Sequence, residues 1–406
     1  MTTHVLVAGA GIGGLGAAMA LARIGVKVTV LEQSDAFGEV GAGVQISPNA
    51  YKVLCDWGLV DVLKQTANFP ERLQVRSTAT GKLLGQLEMG NKAKNRYGFP
   101  FATLLRADLH NLLLNAVRQL TNVALHLNAK ISNIVELNQQ VTIKTEAGDS
   151  FTADALIGAD GLWSRVRQHV MNGESVNSQP RATGHTAWRA LLPMAQVPLE
   201  LQQDKVTAWL APDSHTIAYP VQQGQSLNIV YCTENRGKIN DLNGIKSMQP
   251  GYLLTSLLSK VLQETFQIAT DTNAWTRWDL FDRPPMASSS EMYHPTHPRI
   301  ALLGDAAHPM LPYLAQGAAM ALEDAQSLAD AVSKNSNDLP SAFQKYTNAR
   351  WQRNAKVQAR ASRNGMIFHA KPPVSWARDA AIRLLGEKLL NMPWLYGNTN
   401  PVESTF

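Results

Sequence analysis

Three carboxylates in this chain stand where a strand gives way to a turn or a helix: Glu32, Asp160 and Asp305. From such a position an acid can accept hydrogen bonds from the hydroxyls of a ribose. Asp305 follows the apolar run Ile300-Ala301-Leu302-Leu303-Gly304. It precedes Ala306-Ala307-His308-Pro309 and the small-residue stretch Ala315-Gln316-Gly317-Ala318-Ala319. This predicts a buried strand, an acidic turn, and a helix whose first N–H groups stay free to face an anion. At the other end of the chain, Gly9-Ala10-Gly11-Ile12-Gly13-Gly14 reads G-x-G-x-x-G on Gly9, Gly11 and Gly14. Its glycines permit a tight turn and let backbone N–H groups approach a pyrophosphate at the positive end of a helix. Glu32, with Gln33 beside it, lies 23 residues after Gly9, at the distance that serves a ribose 2′-OH. Two strand-turn-helix sites so far apart suit one long dinucleotide held at both ends, FAD more than NAD.

The third acid opens Asp160-Gly161-Leu162-Trp163-Ser164-Arg165. A glycine after an acid at a strand end suits a turn close to a cofactor. A plain helix cap would use the same residues. His215 and Tyr219 are four apart in an alternating segment, so His215, Ile217 and Tyr219 share one face of a strand. That pairing would place an imidazole and a phenol side by side over a pocket. An imidazole titrates near neutral pH and can serve as a general base. A surface histidine and a sheet-packing tyrosine would look the same. Arg189 is either a carboxylate clamp or a structural ion pair, His185 reads as a loop residue, and His308 as structural. Arg350, Arg353, Lys356, Arg360 and Arg363 recur at helical spacing, either as a solvated face or as a dock for an anion.

The elements that must position these groups are legible as patterns. Residues 5–8, a helix to about 24, and residues 26–31 form a β-α-β unit, which demands a parallel pair. Helices are expected over 48–57, 107–120, about 250–266 and 340–364, and in the tail after 375. Strands are expected over 123–127, 132–137, 141–145, 155–157 and 299–303. Alternating stretches between about 184 and 234 predict an antiparallel sheet. The expected division is a first nucleotide-binding segment 1–180, a β-rich substrate domain 181–290, a return segment 291–340 and a helical region 341–406. A cleft between the two parts is the default active site.

The 406 residues suffice for two or three domains and a large core. A net charge of +5 is too diffuse to argue for nucleic acid. Cys55 and Cys232 have no metal spacing and sit in apolar surroundings, so both are expected in the core, and no metal site is expected. The absence of a long apolar run excludes a membrane-spanning helix. The N-terminus reads as a strand and not as a leader, and the cytoplasm is the expected compartment.

With all three motifs in order, the chain resembles the single-component FAD-dependent aromatic hydroxylases, the para-hydroxybenzoate hydroxylase-like family. The resemblance runs over essentially the whole length. It implies an α/β fold: an FAD-binding Rossmann-like domain of the glutathione-reductase type, an inserted antiparallel β-sheet substrate domain, and a helical C-terminus. It implies tightly bound FAD, NAD(P)H as a transient cosubstrate and O₂, with oxygen transferred from a flavin C4a-hydroperoxide to a phenolate. It assigns FAD contacts to Gly9, Gly11, Ile12, Gly13, Gly14, Glu32, Gln33, Gly43, Val44, Arg106, Asp160, Gly161, Gly304, Asp305, Pro312, Gln316, Gly317 and Ala318. Pro312 would lie by the flavin ring and count with His215 and Tyr219 as catalytic. Gln45 and Arg189 would join His215 and Tyr219 around the substrate. Gly41-Ala42-Gly43-Val44-Gln45-Ile46-Ser47-Pro48-Asn49 looks most like enzymes acting on small hydroxylated aromatic acids. Gln45 stands where hydroxynicotinate enzymes carry histidine. A hydroxypyridine carboxylate, a hydroxyquinoline, or a non-hydroxylating flavin reaction are the alternatives. The working unit is expected to be a monomer or homodimer acting on a small aromatic molecule.

Overall fold

The computed structural model describes residues 2–38, 43–171, 179–234 and 258–397. Gly41 and Ala42 of the resemblance stretch, the first part of the helix expected from about 250, and the tail beyond 397 lie outside the described residues.

The glycine motif does what its spacing requires. His4–Ala8, Ile12–Arg23 and Lys27–Leu31 form the β-α-β unit, and His4–Ala8 pairs in parallel with Lys27–Leu31. Gly9 has φ +95°. A Cβ there would meet the Ala159 carbonyl oxygen at 2.5 Å, and one on Gly14 would meet the Gly9 oxygen at 1.9 Å. Only glycine allows the helix to start this close to the strand ends. The parallel sheet is completed in the order Ile300–Leu302, Ala155–Gly158, His4–Ala8, Lys27–Leu31, Val123–His126. Its strands are mostly apolar because helices and the three-stranded antiparallel sheet of Ile131–Leu137, Gln140–Thr145 and Ser150–Ala153 pack against it. The three acid-bearing turns therefore leave the same carboxyl edge of one sheet, where ligands of open α/β sheets bind.

The second large sheet has seven strands, in the order Thr276–Asp282, Arg181–Pro193, Ser226–Glu234, Ser214–Val221, Lys205–Ala211, Arg72–Ser77, Leu83–Glu88. All neighbours are antiparallel except Lys205–Ala211 with Arg72–Ser77. Its last two strands come from the segment 1–180 that the sequence assigned to the first domain. They are short, half-polar strands on a sheet edge, so their alternation carries little signal. One face of this sheet packs on the helix Lys260–Asp271 through Leu262 and Phe266.

Two further elements tie the parts together. Gly43–Ile46 pairs with Ala102–Leu105, and a Cβ on Gly43 would meet Asn228 Cγ at 2.6 Å and Tyr219 Cε2 at 2.7 Å. Glycine here lets the small sheet press onto the large one. The helix Leu339–Phe368 is 30 residues long, about 45 Å at 1.5 Å per residue. It starts against the parallel sheet and delivers Phe368 and His369 to the antiparallel one. Val374–Leu385 and shorter helices follow, so the C-terminal region is helical.

Candidate active site

Gly9, Gly11, Ile12, Gly13, Glu32, Gln33, Arg106, Asp160, Gly161, Gly304, Asp305, Gly317 and Ala318 line one cleft of about 740 Å³. The folded chain thus brings all three motifs to one place. The helices Ile12–Arg23 and Gly317–Lys334 both begin beside this cleft. Neither start is capped by a side chain, and neither first turn carries an acid. Two unneutralised helix starts at separate points of one cleft suit a long ligand with a central pyrophosphate and a polar ring. An added Cβ on Gly161 would meet nothing within 4 Å, which leaves that wall open. The residues present fit FAD.

The acids hold the walls as well as facing the cleft. Glu32 accepts from the Ala10 N–H at 2.8 Å and from the Ser34 N–H at 3.0 Å. Asp160 accepts from Ser164 Oγ at 2.5 Å and from the N–H groups of Arg165 and Val166 at 2.7 and 3.1 Å. Asp160 thus takes the first two N–H groups of the helix Arg165–Val170, whose N-cap is Ser164, and also lines the cleft. Burial pushes its carboxyl up, and these hydrogen bonds oppose that. Lys130, Trp163, Arg165 and Trp278 also line the cleft. Trp163 and Arg165 belong to the Asp160 motif, whereas Lys130 and Trp278 carry no mark in the sequence, because no motif fixes which distant side chains turn inward.

Pro312, Gln316, Gly43, Val44 and Gly14 are not on the walls of this cleft. Gln316 is 2% exposed; its amide donates to Ser47 Oγ at 2.9 Å and accepts from Asn49 at 3.2 Å. Pro312 is half-buried in the loop before that helix, and Ala315 closes the loop in the left-handed region at φ +51°. A non-glycine residue held so is strained, and such strain concentrates at functional sites.

The basic stripe is divided: Lys356 and Arg363 are exposed, while Arg350 and Arg353 turn inward. Arg350 is 5% exposed and lies 2.7 Å from both Glu323 and Asp324. Arg353 binds Glu323 and donates to the carbonyls of Trp394 and Leu395. Lys356 lies 4.3 Å over the Trp394 ring. Two adjacent buried carboxylates require counter-charges, and this helix face supplies them. Asp324 also holds His308 at 2.5 Å and accepts from the Gly304 N–H at 3.3 Å. Nearby His308 and Arg350 keep its carboxyl well below the usual range despite burial.

His215 and Tyr219 lie on the face of the large sheet opposite the helix Lys260–Asp271. Cross-strand register puts Ala187, Cys232 and His215 on one rung, Arg189, Val230 and Ile217 on the next, and Leu191, Asn228 and Tyr219 on a third. His215 and Tyr219 do share a face. Four strand residues separate them by about 13 Å, however, so they flank a rung and do not stand side by side. Tyr219 is buried, and burial pushes its hydroxyl pKa up while the Arg189 charge opposes this. Arg189 is half-buried, sits 5.2 Å over the Trp278 ring, and has no carboxylate partner among the described residues. Burial pulls its pKa down. Gln45 is half-buried opposite Thr103.

His185 is no loop residue. It lies on the strand Arg181–Pro193, and its Nδ1 is 2.6 Å from the Tyr313 hydroxyl. His215 is enclosed by Tyr313, Phe368 and His369, ring centroids 5.0–5.3 Å away. Glu234, Tyr313 and His369 escaped the sequence reading, since His369 arrives from 154 residues further on. Cys232 is buried as expected, while Cys55 is exposed on the outer face of Pro48–Asp56. Glu136, His169 and His297 also gather, with ligand-type atoms within 4.8 Å of one another, although no metal spacing marks them in the sequence.

The FAD binding domain family matches residues 2–361. 3-Hydroxybenzoate 6-hydroxylase 1 of Aquipseudomonas alcaligenes is 35% identical over 98% of each chain. 6-Hydroxynicotinate 3-monooxygenase of Bordetella bronchiseptica is 32% identical over 93% of this chain and 99% of that one. In fold, the chain is similar to HpxO of Klebsiella pneumoniae solved with FAD and uric acid (TM-score 0.82, 24% identity, 96% and 94% covered). It is also similar to a salicylate hydroxylase substrate complex (TM-score 0.77, 23% identity, 97% and 95% covered). The cleft, its two free helix starts and these end-to-end alignments together make the chain a member of the FAD binding domain family and an FAD-dependent aromatic monooxygenase.

Proposed function

We propose that this protein hydroxylates a small phenolic aromatic acid of the hydroxybenzoate class, consuming NAD(P)H and O₂. The observation that carries the substrate class is Arg189. It is a desolvated guanidinium without a carboxylate partner among the described residues, on the rung between His215 and Tyr219. An aromatic carboxylate supplies the missing charge and can take two parallel hydrogen bonds from the guanidinium. A phenol on the same ring then reaches toward His215.

FAD, when bound, passes electrons from NAD(P)H to O₂ and presents the electrophilic oxygen. The chain's own residues do the rest. Gly9, Gly11, Ile12 and Gly13 with Gly317 and Ala318 would hold the cofactor, Arg189 orients the substrate, and His215 takes the phenol proton so that the ring attacks as phenolate. Tyr219 closes one end of the site beside Asn228 and Gly43. Ile217 and Val230, the apolar members of the Arg189 rung, keep water from the reacting centre. Among the described residues no helix is long and apolar enough to cross a membrane. A cytoplasmic monomer or homodimer acting on a small molecule, with no nucleic-acid partner, fits this chemistry.

The test is a panel of hydroxybenzoates, hydroxynicotinates and hydroxyquinolines, scored for NADH and NADPH oxidation, O₂ uptake and product. A monohydroxybenzoate should accelerate NAD(P)H oxidation and emerge with one added hydroxyl. If no phenolic acid does both, the proposal fails.

A further inference from the structure

His215 is the inner end of a chain of hydrogen bonds. Its Nδ1 lies 2.7 Å from His369 Nε2, and His369 Nδ1 lies 3.1 Å from Glu234 Oε1. His215 is 1% exposed and His369 2%. The three residues come from the strands Ser214–Val221 and Ser226–Glu234 and from the end of the helix Leu339–Phe368. The fold therefore assembles this contact deliberately from distant segments. Its surroundings are His185, stacked on His369 and bonded to Tyr313, then Tyr313, Phe368 and Cys232. At the outer end stand Asp213 and Lys371, paired at 2.7 Å.

The acceptor at the outer end sets every proton in the chain. A carboxylate only accepts, so His369 must carry its proton on Nδ1. Its Nε2 is then a lone pair, and His215 must donate to it from Nδ1. That leaves His215 Nε2 as a lone pair with no hydrogen-bond partner among the described residues. Burial, more than any neighbouring charge, drives both imidazoles toward the neutral form, His369 down to about 4. Both rings are thus ready to receive a proton and do not arrive already charged.

We propose that Glu234 and His369 are positioning residues that fix His215 as a base at Nε2 and carry the abstracted proton outward. The proposal rests on the reading of His215 as the base for a phenolic substrate. The balance is simple. The phenol O–H bond breaks and a bond forms at His215 Nε2. The proton on His215 Nδ1 passes to His369 Nε2, and the one on His369 Nδ1 passes to Glu234. No electron leaves the chain, and the starting tautomers return when the hydroxylated ring rearomatises and takes a proton at its oxygen from His215 Nε2, while the proton on Glu234 passes back through His369 to His215 Nδ1.

The experiment uses the flavin-loaded full chain with 3-hydroxybenzoate or the best phenol of the panel. His369→Phe keeps a planar ring but removes the acceptor for His215 Nδ1. Product formation at pH 7 should fall by about a hundredfold, the lower end of what a positioned base contributes. Hydroxylated product per NAD(P)H oxidised should fall as well, since reduced flavin is then reoxidised unproductively. A nitro-substituted hydroxybenzoate, whose phenol is already ionised near neutral pH, should restore the rate toward wild type. A merely structural defect would slow both substrates alike. Glu234→Gln, at the half-buried outer end, tests the same chain without emptying the core. It should move the pH profile of product formation because an amide can present either a donor or an acceptor. The relay is overturned if His369→Phe, or Glu234→Gln where that variant does not fold, hydroxylates the ordinary phenol at the wild-type rate with an unchanged pH profile. If the wild-type enzyme hydroxylates no phenol, the reading of the site falls first and the relay with it.

Discussion

Replacing Arg189 with methionine should weaken the enzyme and strengthen the protein. The guanidinium is half-buried, its Nε has no hydrogen-bond partner, and its electrostatic neighbours are neutral Tyr219 and Cys232 and the like-charged Arg106. Burying a cation without a counter-ion costs stability, and replacing buried ionic groups by apolar ones of similar volume is often worth about 1–4 kcal/mol. The contact with Trp278 offsets about 0.5–1 kcal/mol of that. The ligand-free variant should therefore be about 1 kcal/mol more stable. Catalysis moves the other way. Hydrogen bonds to a charged group are worth about 1.5–3 kcal/mol, so losing the clamp should raise the KM for 3-hydroxybenzoate about a hundredfold. Comparing the acid with 3-hydroxybenzamide isolates the charge. Wild type should prefer the acid strongly, and Arg189→Met should treat the two nearly alike. Chemical denaturation of the substrate-free protein and steady-state kinetics with both compounds check the two halves. A variant that keeps its preference for the acid, or that loses 1 kcal/mol or more of stability, would refute the reasoning.

Asp324→Asn should cost about 3 kcal/mol, because it strips one partner from a buried pair while Arg350 keeps Glu323. FAD affinity should drop with it, since Asp324 also holds the Gly304 N–H; denaturation of the flavin-free protein separates the two effects. The Asp324 carboxyl is depressed in the folded state. Its contribution is present above about pH 4 and is lost as pH falls through the folded value, so wild type and variant should converge in strong acid. Gly43→Ala forces a methyl within 2.7 Å of Asn228 and Tyr219. Overpacking of that kind costs about 1–3 kcal/mol, and it should raise the substrate KM more than it loosens FAD; wild-type kinetics would show that the close approach is idle.

What was legible in the sequence was whatever depends on local geometry. Gly9 and Gly14 announce themselves because only glycine survives 1.9–2.5 Å from a backbone oxygen. Asp160 and Asp305 announce themselves because a strand end followed by a turn is a local pattern. His215 and Tyr219 could be placed on one face from period alone. The pattern gave no distance, and the sense that they stand side by side had to yield to a rung carrying Arg189. The basic stripe divides because spacing of 3 and 4 says which residues share a helix face, not which of them meet water, as Lys356 and Arg363 do, and which meet Glu323 and Asp324. His369 and Glu234 were beyond reach for a deeper reason. Neither has a neighbour in sequence that explains it, and each acquires a role only when the long C-terminal helix ends against the sheet. The cofactor cleft is built from backbone, so its motif is short and readable. The substrate face is built from side chains that meet across the whole fold, and this allows relatives with one cleft to differ in what they hydroxylate. It follows that substitutions on the rungs of His215, Arg189 and Tyr219 should change substrate choice while leaving flavin binding intact, the separation that the Arg189 variant measures first.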